Sequence, residues 1–178
     1  IGILWENIYP NFTFQTFREA CNISKDTDAT LRKSIFQMNQ TDSEKVFFKT
    51  YAKCFNMADK SVPLLIPQAW IQWHSLPKNS LKASSSLQPD DLYRVDFVAF
   101  WENKRYAILV DDIGHYAVLR DNKWLADEEL YAKRLREDRR LKQENWNVFR
   151  ISNWETRDEK KLMEGIESLK SFIAFDID

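Results

Sequence analysis

Two apolar segments of this chain carry acidic residues inside what is otherwise a β-strand pattern. They are residues 93–100 (YRVDFVAF) and residues 106–115 (YAILVDDIGH). A lone carboxylate buried in a strand is costly unless a cation or hydrogen-bond donors accept it. Because Asp96 and Asp111 fall on neighbouring strands, with His115 just beyond the second, the pattern predicts a cation site at one edge of a sheet.

The short connection between these segments predicts how they pair. Only a tight turn at residues 102–104 separates strand 93–101 from strand 106–111, so we expect an antiparallel hairpin. Upstream, residues 62–73 (VPLLIPQAWIQW) also favour a strand, and their two prolines confine it to a sheet edge or an irregular entry.

Helical spacing of apolar residues marks four other segments: 1–40 with a polar break at 24–28, 41–55, 125–144 and 155–172. The second of them opens with Thr41 and Glu44 at the spacing of a capping box. Its predicted buried stripe is Phe47, Phe48, Tyr51 and Phe55. A strand is predicted over 146–152, between the last two helices.

This order of elements predicts an α/β fold (an α+β sandwich), with a mixed central sheet flanked by helices. We expect a small N-terminal helical appendage over residues 1–40 and one core domain over 41–178, interrupted by a polar, Ser-rich connector at 78–91. A hydrophobic content of 44% supports a packed core rather than disorder.

Composition excludes several classes of function. The net charge is −1, so a nucleic-acid surface must come from local clustering of basic residues. With 3 glycines and no G-x-G-x-x-G or P-loop pattern, a phosphate-cradling loop is not expected. Cys21 and Cys54 match no metal-binding spacing and are expected to be reduced thiols of a cytoplasmic protein. No apolar run approaches the ~18 residues of a membrane span. Because the sequence starts at Ile1, we expect it to be a fragment of a longer chain with further domains.

The residues around the acidic hairpin leave alternatives open. Adjacent strand residues face opposite sides, so Asp111 and Asp112 cannot both point inward. Asp96 would offer a hard oxygen to Mg²⁺, or would pair with Arg94 or with a helix N-terminus. His115 is either a proton-transfer group or an exposed loop residue. Glu44 serves as a site carboxylate, as a helix cap, or as both.

Several motifs, in order along the chain, resemble the PD-(D/E)xK nuclease superfamily with its restriction-endonuclease-like fold. The most similar group within it is the very-short-patch-repair endonucleases. The matching pieces are 43–48 (SEKVFF), 66–68 (IPQ), 94–97 (RVDF), 108–115 (ILVDDIGH), 136–141 (REDRRL) and 145–151 (NWNVFRI).

This resemblance implies a DNA endonuclease that uses Mg²⁺ or Mn²⁺. It implies a metal ion held by Asp96 together with Asp111 or with a backbone carbonyl. Asp112 is the alternative ligand if Asp111 does not face the site. It also implies catalytic roles for His115 and Glu44. The basic residues of the third helical segment would contact DNA phosphates or form a solvated face; they are Lys133, Arg136, Arg139 and Arg140.

The sequence departs from the superfamily pattern at one acidic position, and this bears on whether the protein cleaves DNA. The second acid of the superfamily aligns with Leu109, and the superfamily's lysine position falls on Asp111. The very-short-patch-repair enzymes also carry an apolar residue at the second-acid position, where a backbone carbonyl helps to hold the metal. The alternative hypothesis is a catalytically inactive nuclease-fold module that binds nucleic acid or a protein partner.

Overall fold

A computed structural model describes residues 8–24, 27–58, 60–72 and 92–176. The predicted connector at 78–91 lies outside the described residues. In the described part the strands are β1 (Ile66–Gln72), β2 (Leu92–Trp101), β3 (Lys104–Asp111), β4 (Ala117–Arg120), β5 (Lys123–Ala126) and β6 (Trp146–Ser152).

Four of these strands form a mixed sheet in the order β1-β2-β3-β6. The pairs β1–β2 and β2–β3 are antiparallel, whereas β3 and β6 are parallel. The predicted hairpin is confirmed, and its turn consists of Glu102 and Asn103, both at positive φ (48° and 61°). Such a two-residue turn matches the natural twist of a hairpin. The predicted edge position of the proline-containing strand, β1, is also confirmed.

The helices of the described residues are α1 (Phe14–Ala20), α2 (Asp28–Gln37), α3 (Asp42–Cys54), α4 (Glu128–Gln143) and α5 (Glu159–Ile173). Short 3₁₀ turns occur at Ile113–His115 and Glu155–Arg157. The chain is therefore mixed α/β, with a mixed sheet flanked by helices, as predicted. No described helix combines the length and the apolar character needed to cross a bilayer.

Aromatic packing between α3 and the sheet forms much of the core. The rings of Phe47 and Phe48 lie 5.5 and 6.0 Å from the ring of Phe97 in β2. The predicted stripe of α3 is buried as expected. Phe12 and Phe14, from the N-terminal segment, are fully buried in the same core. The first turn of α3 is thereby held against the strands that carry the acidic residues.

Two details of the third predicted helix were wrong. Leu125 belongs to strand β5, and α4 begins at Glu128 because the Asp127 side chain caps it, accepting hydrogen bonds from the backbone N–H groups of Glu129 and Leu130. The helical spacing of Tyr131, Leu135 and Asp138 predicts a stripe that faces the sheet, but Tyr131 and Leu135 are both exposed, and the fully buried residue of α4 is Leu141. The helix contacts β6 through Asp138, which binds Arg150.

Candidate functional site

Asp96 lies in β2 at the point where the ladder to β3 ends. The paired residues of these strands begin at Phe97 and Ile108. Beyond that pair, the Asp96 carboxylate itself accepts the backbone N–H of Val110, at 2.7 Å. A side chain thus replaces a main-chain partner, and the carboxylate is held beside the end of β3.

The surroundings of Asp96 disfavour its charge. Burial, together with the negative charge of Glu44, raises the pKa of Asp96 to about 6, although the Val110 N–H and the charges of Arg94 and His115 act in the opposite direction. Among the described residues, neither Asp96 nor Glu44 takes part in an ion pair within 4.0 Å. These two acidic residues form a carboxylate pair that has no ion-pair partner among the described residues.

Glu44 occupies the first turn of α3 and is only 3% exposed. Its backbone N–H donates to the Thr41 hydroxyl (3.1 Å), which confirms one half of the predicted capping box. The other half is wrong, because the Glu44 carboxylate accepts from the N–H of Gln40 (2.8 Å) and from the Gln68 amide (2.7 Å) rather than from the N–H of Thr41. The Glu44 carboxylate therefore contacts Gln68 of β1 and interacts electrostatically with Asp96 of β2.

Asp111, at the end of β3, belongs to a different cluster. The Arg150 guanidinium of β6 donates to both oxygens of its carboxylate at 2.7 Å, and His115 Nδ1 lies 2.9 Å from one of them. Burial alone would raise the pKa of Asp111, but the hydrogen bonds and charges of His115 and Arg150 outweigh it and lower that pKa. Because a carboxylate only accepts, Nδ1 carries the proton and Nε2 of His115 is left for another partner.

Arg150 also binds Asp138 of α4, at 2.6 Å. The helical spacing of Arg134 and Asp138 predicts that they pair with each other; this is wrong, because Arg134 pairs with Glu137 on its own helix while Asp138 binds Arg150 of β6. Asp112 caps the 3₁₀ turn through the N–H of Gly114 and also accepts from Asn153. Its side chain is therefore occupied in shaping the turn that carries His115.

The structure brings together some of the predicted site residues and separates others. Glu44, Asp96 and His115 interact electrostatically. Asp111 reaches this group through His115. Leu109, which the resemblance aligns with the second acid, is buried in the hydrophobic core. Within the described residues, no three His, Cys, Asp or Glu side chains converge as metal ligands.

The predicted DNA-contacting residues lie on α4. Lys133, Arg136 and Arg139 are exposed, whereas Arg140 is partly buried and interacts with other groups of the protein. The helix lies beside the turn that carries His115, and Asp138 ties it to Arg150. The helix that carries the exposed cations is therefore tied to the Arg150–Asp111 cluster.

The hairpin of β4 and β5 was not predicted. Its turn residues Asp121 and Asn122 have φ values of 48° and 61°, and this Asp-Asn pair between alternating residues was the available signal. Leu119, Trp124 and Leu125 expose about half of their surface on it. Since Trp124 approaches Gly114, this apolar surface adjoins the turn that carries His115.

Comparisons of this chain with protein-family models, with curated proteins and with solved structures found no match.

The raised pKa of Asp96 predicts a pH dependence of stability in metal-free buffer. Its folded-state pKa of about 6 exceeds the ordinary value of 3.8, so its contribution to stability is complete below pH 3.8 and is lost as the pH rises through 6. We expect Asp96→Asn to be more stable than wild type at pH 7.5, by about 3 kcal/mol, and to lose this advantage near pH 4.

Urea unfolding with a chelator present, at pH 4 and pH 7.5, measures this difference. Asparagine can still accept the Val110 N–H, so the variant removes the charge and keeps the contact. Asp176→Asn, at an exposed position, serves as the control and should change stability equally at both pH values. An advantage of Asp96→Asn that does not depend on pH would contradict the assignment.

Proposed function

We propose that this protein is a divalent-metal-dependent DNA endonuclease that hydrolyses phosphodiester bonds. The observation that carries the proposal is the carboxylate pair of Glu44, which is buried, and Asp96, which is partly buried; neither has an ion pair among the described residues. Two other partly buried acids, Asp111 and Asp138, have an arginine partner. A carboxylate pair without a basic partner is suited to a cation that arrives from solution.

The donor chemistry fits Mg²⁺ or Mn²⁺, which prefer carboxylate and amide oxygens. Asp96 and Glu44 would hold the ion, and the buried Gln68 Oε1 beside Glu44 has no hydrogen-bond partner. When bound, the metal would neutralise charge on the phosphate and promote ionisation of a water molecule. The role of Asp111 as a further ligand, which the resemblance implies, stays a prediction.

The protein's own groups supply the remaining chemistry. His115 receives or donates a proton at Nε2, because its Nδ1–H is held by Asp111. Arg150 orients this pair by binding both oxygens of Asp111. Asp111 and Arg150 therefore act through His115 and are positioning residues.

A plasmid-nicking assay tests the proposal. Wild type should convert supercoiled DNA to the open circle with Mg²⁺ or Mn²⁺, and should not do so with a chelator. The control is a Glu44→Gln, Asp96→Asn double variant purified in the same way, which should be inactive. Cleavage that persists in chelator, or that is equal in the double variant, would reject the proposal.

The burial of Leu109 at the second-acid position favours one alternative, an inactive nuclease-fold module that binds nucleic acid or a protein partner. The same assay separates the two functions. A module of this kind would leave the plasmid intact with either metal. If its partner is nucleic acid, it would bind DNA in a binding assay. The proposed endonuclease would nick the plasmid under those conditions.

The exposed cations of α4 give a separate prediction about DNA affinity. Changing Lys133, Arg136 and Arg139 together to alanine should weaken binding to a short duplex. It should also reduce the slope of log affinity against log salt by about 1 per lost phosphate contact. Fluorescence anisotropy in Ca²⁺ over a range of salt concentrations measures both.

The matched control removes the same number of charges from other helices, through Lys33, Lys49 and Lys160, which are all exposed. It should leave the salt slope close to that of wild type. Equal losses of affinity in both triple variants would mean that α4 contributes only to the overall charge.

A further inference from the structure

Gln68 has an unusual backbone conformation within β1. Its φ is 55°, in the left-handed region that residues other than glycine seldom adopt inside a strand. The paired residues on either side are Pro67 with Phe97 and Ala69 with Val95, so Gln68 is directly opposite Asp96 in the register. Strained backbone of this kind is concentrated at functional sites.

The orientation of the Gln68 amide follows from its partner. Its Nε2 donates to Glu44 Oε2 at 2.7 Å. Because a carboxylate can only accept hydrogen bonds, the amide nitrogen must be the atom that faces Glu44. The other atom, Oε1, is buried and has no hydrogen-bond partner.

A buried acceptor without a donor is unfavourable unless another positive group satisfies it. Glu44 contacts the amide group that carries this oxygen, and Asp96 lies opposite Gln68 in the β1–β2 register. All three groups offer the hard oxygen atoms that Mg²⁺ and Mn²⁺ prefer. A divalent cation bound at this point would explain both the strained backbone of Gln68 and its unpaired oxygen.

We propose that Gln68 Oε1 is a ligand of the divalent cation held by Glu44 and Asp96. This inference rests on the proposed metal site and adds a neutral amide to it, where the superfamily pattern would place a further acid from β3. A site with two carboxylates and one amide binds divalent ions weakly, because its total charge is low. The amide nitrogen of the same side chain holds Glu44 in position.

Calorimetric Mn²⁺ titration of the full chain tests this assignment without depending on cleavage. Gln68→Met keeps the length of the side chain and removes both amide atoms, and should lower the affinity for Mn²⁺ about tenfold or more. Gln68→Glu supplies a third carboxylate; we expect lower stability without metal and a larger rise in Tm with Mn²⁺ than in wild type. Gln143→Met, at an exposed position of α4, is the control and should match wild type.

Circular dichroism verifies that each variant is folded. Should Gln68→Met not fold, Gln68→Asn replaces it, because asparagine tolerates positive φ but its side chain is one methylene shorter. If the Gln68 variants bind Mn²⁺ as tightly as wild type while Asp96→Asn does not, Gln68 is not a ligand and the metal site itself stands. If wild type binds no Mn²⁺, this inference is wrong, and the absence of nicking would then reject the proposed function separately.

Discussion

Asp96→Asn is expected to lower the rate of plasmid nicking by about 10³-fold or more. A metal ion contributes several kcal/mol of charge stabilisation to such a reaction, and each step of about 1.4 kcal/mol corresponds to a factor of ten. Asparagine has the size of aspartate and can still accept the Val110 N–H. The loss of nicking rate therefore measures removal of the charge rather than damage to the fold. Nicking with Mg²⁺ and with Mn²⁺ at pH 8 is the measurement.

Two further variants test whether His115 takes part in the reaction. His115→Ala should lower the rate by about 10²-fold, as expected for the loss of a proton-transfer group. Asp176→Asn, far from the site in sequence and exposed, should cleave like wild type. Full activity in both Asp96→Asn and His115→Ala would mean that the reacting phosphate binds elsewhere on the molecule.

Arg150→Met is expected to lower the free energy of unfolding by about 3 kcal/mol at pH 7.5. Arg150 pairs with Asp111 and Asp138, and the three side chains are only about one fifth exposed. Removing one partner of a largely buried pair leaves charge without compensation, which costs several kcal/mol. Urea denaturation followed by circular dichroism gives the value.

The effect of Arg150→Met should depend on pH in a defined direction. Because the pKa of Asp111 lies below its ordinary value of 3.8, its stabilising contribution is present above that pH and is lost as the pH falls further. The destabilisation should therefore shrink in acid. Lys160→Met breaks an exposed pair with Glu164 (4.0 Å) and should change stability by less than about 0.5 kcal/mol. Equal effects of both variants would contradict a structural role for the Arg150 cluster.

Elements that depend on nearby residues could be predicted from the sequence. The turn at Glu102 and Asn103 joins two apolar runs, so the hairpin of β2 and β3 follows from local conformation. The helical spacing of Phe47, Phe48 and Tyr51 predicted the buried face of α3 for the same reason. The resemblance implied a site role for Glu44, whose helical spacing placed it on that face.

Partners that come together only across the fold were not predicted. Asp138 has Arg134 four residues away, at ordinary helical spacing, yet it pairs with Arg150 of β6. The start of α4 was misplaced because Leu125 continues a helical pattern, although the turn at Asp121 and Asn122 directs it into a strand. In both cases a tertiary or cross-strand contact outweighed the preference of the local sequence.

For the candidate site, the sequence by itself determined that Asp96 lies in an apolar strand, because strand patterns are local and a charged residue within one is conspicuous. Only the tertiary structure decided which groups surround it. The antiparallel register of β1 and β2 sets Gln68 opposite Asp96, and the packing of α3 on β2 buries Glu44 near it. The parallel pairing of β3 and β6 brings Arg150 to Asp111, which lies 39 residues before it in the chain. Electrostatic interactions act through space, so residues far apart in sequence become partners only when the sheet has formed.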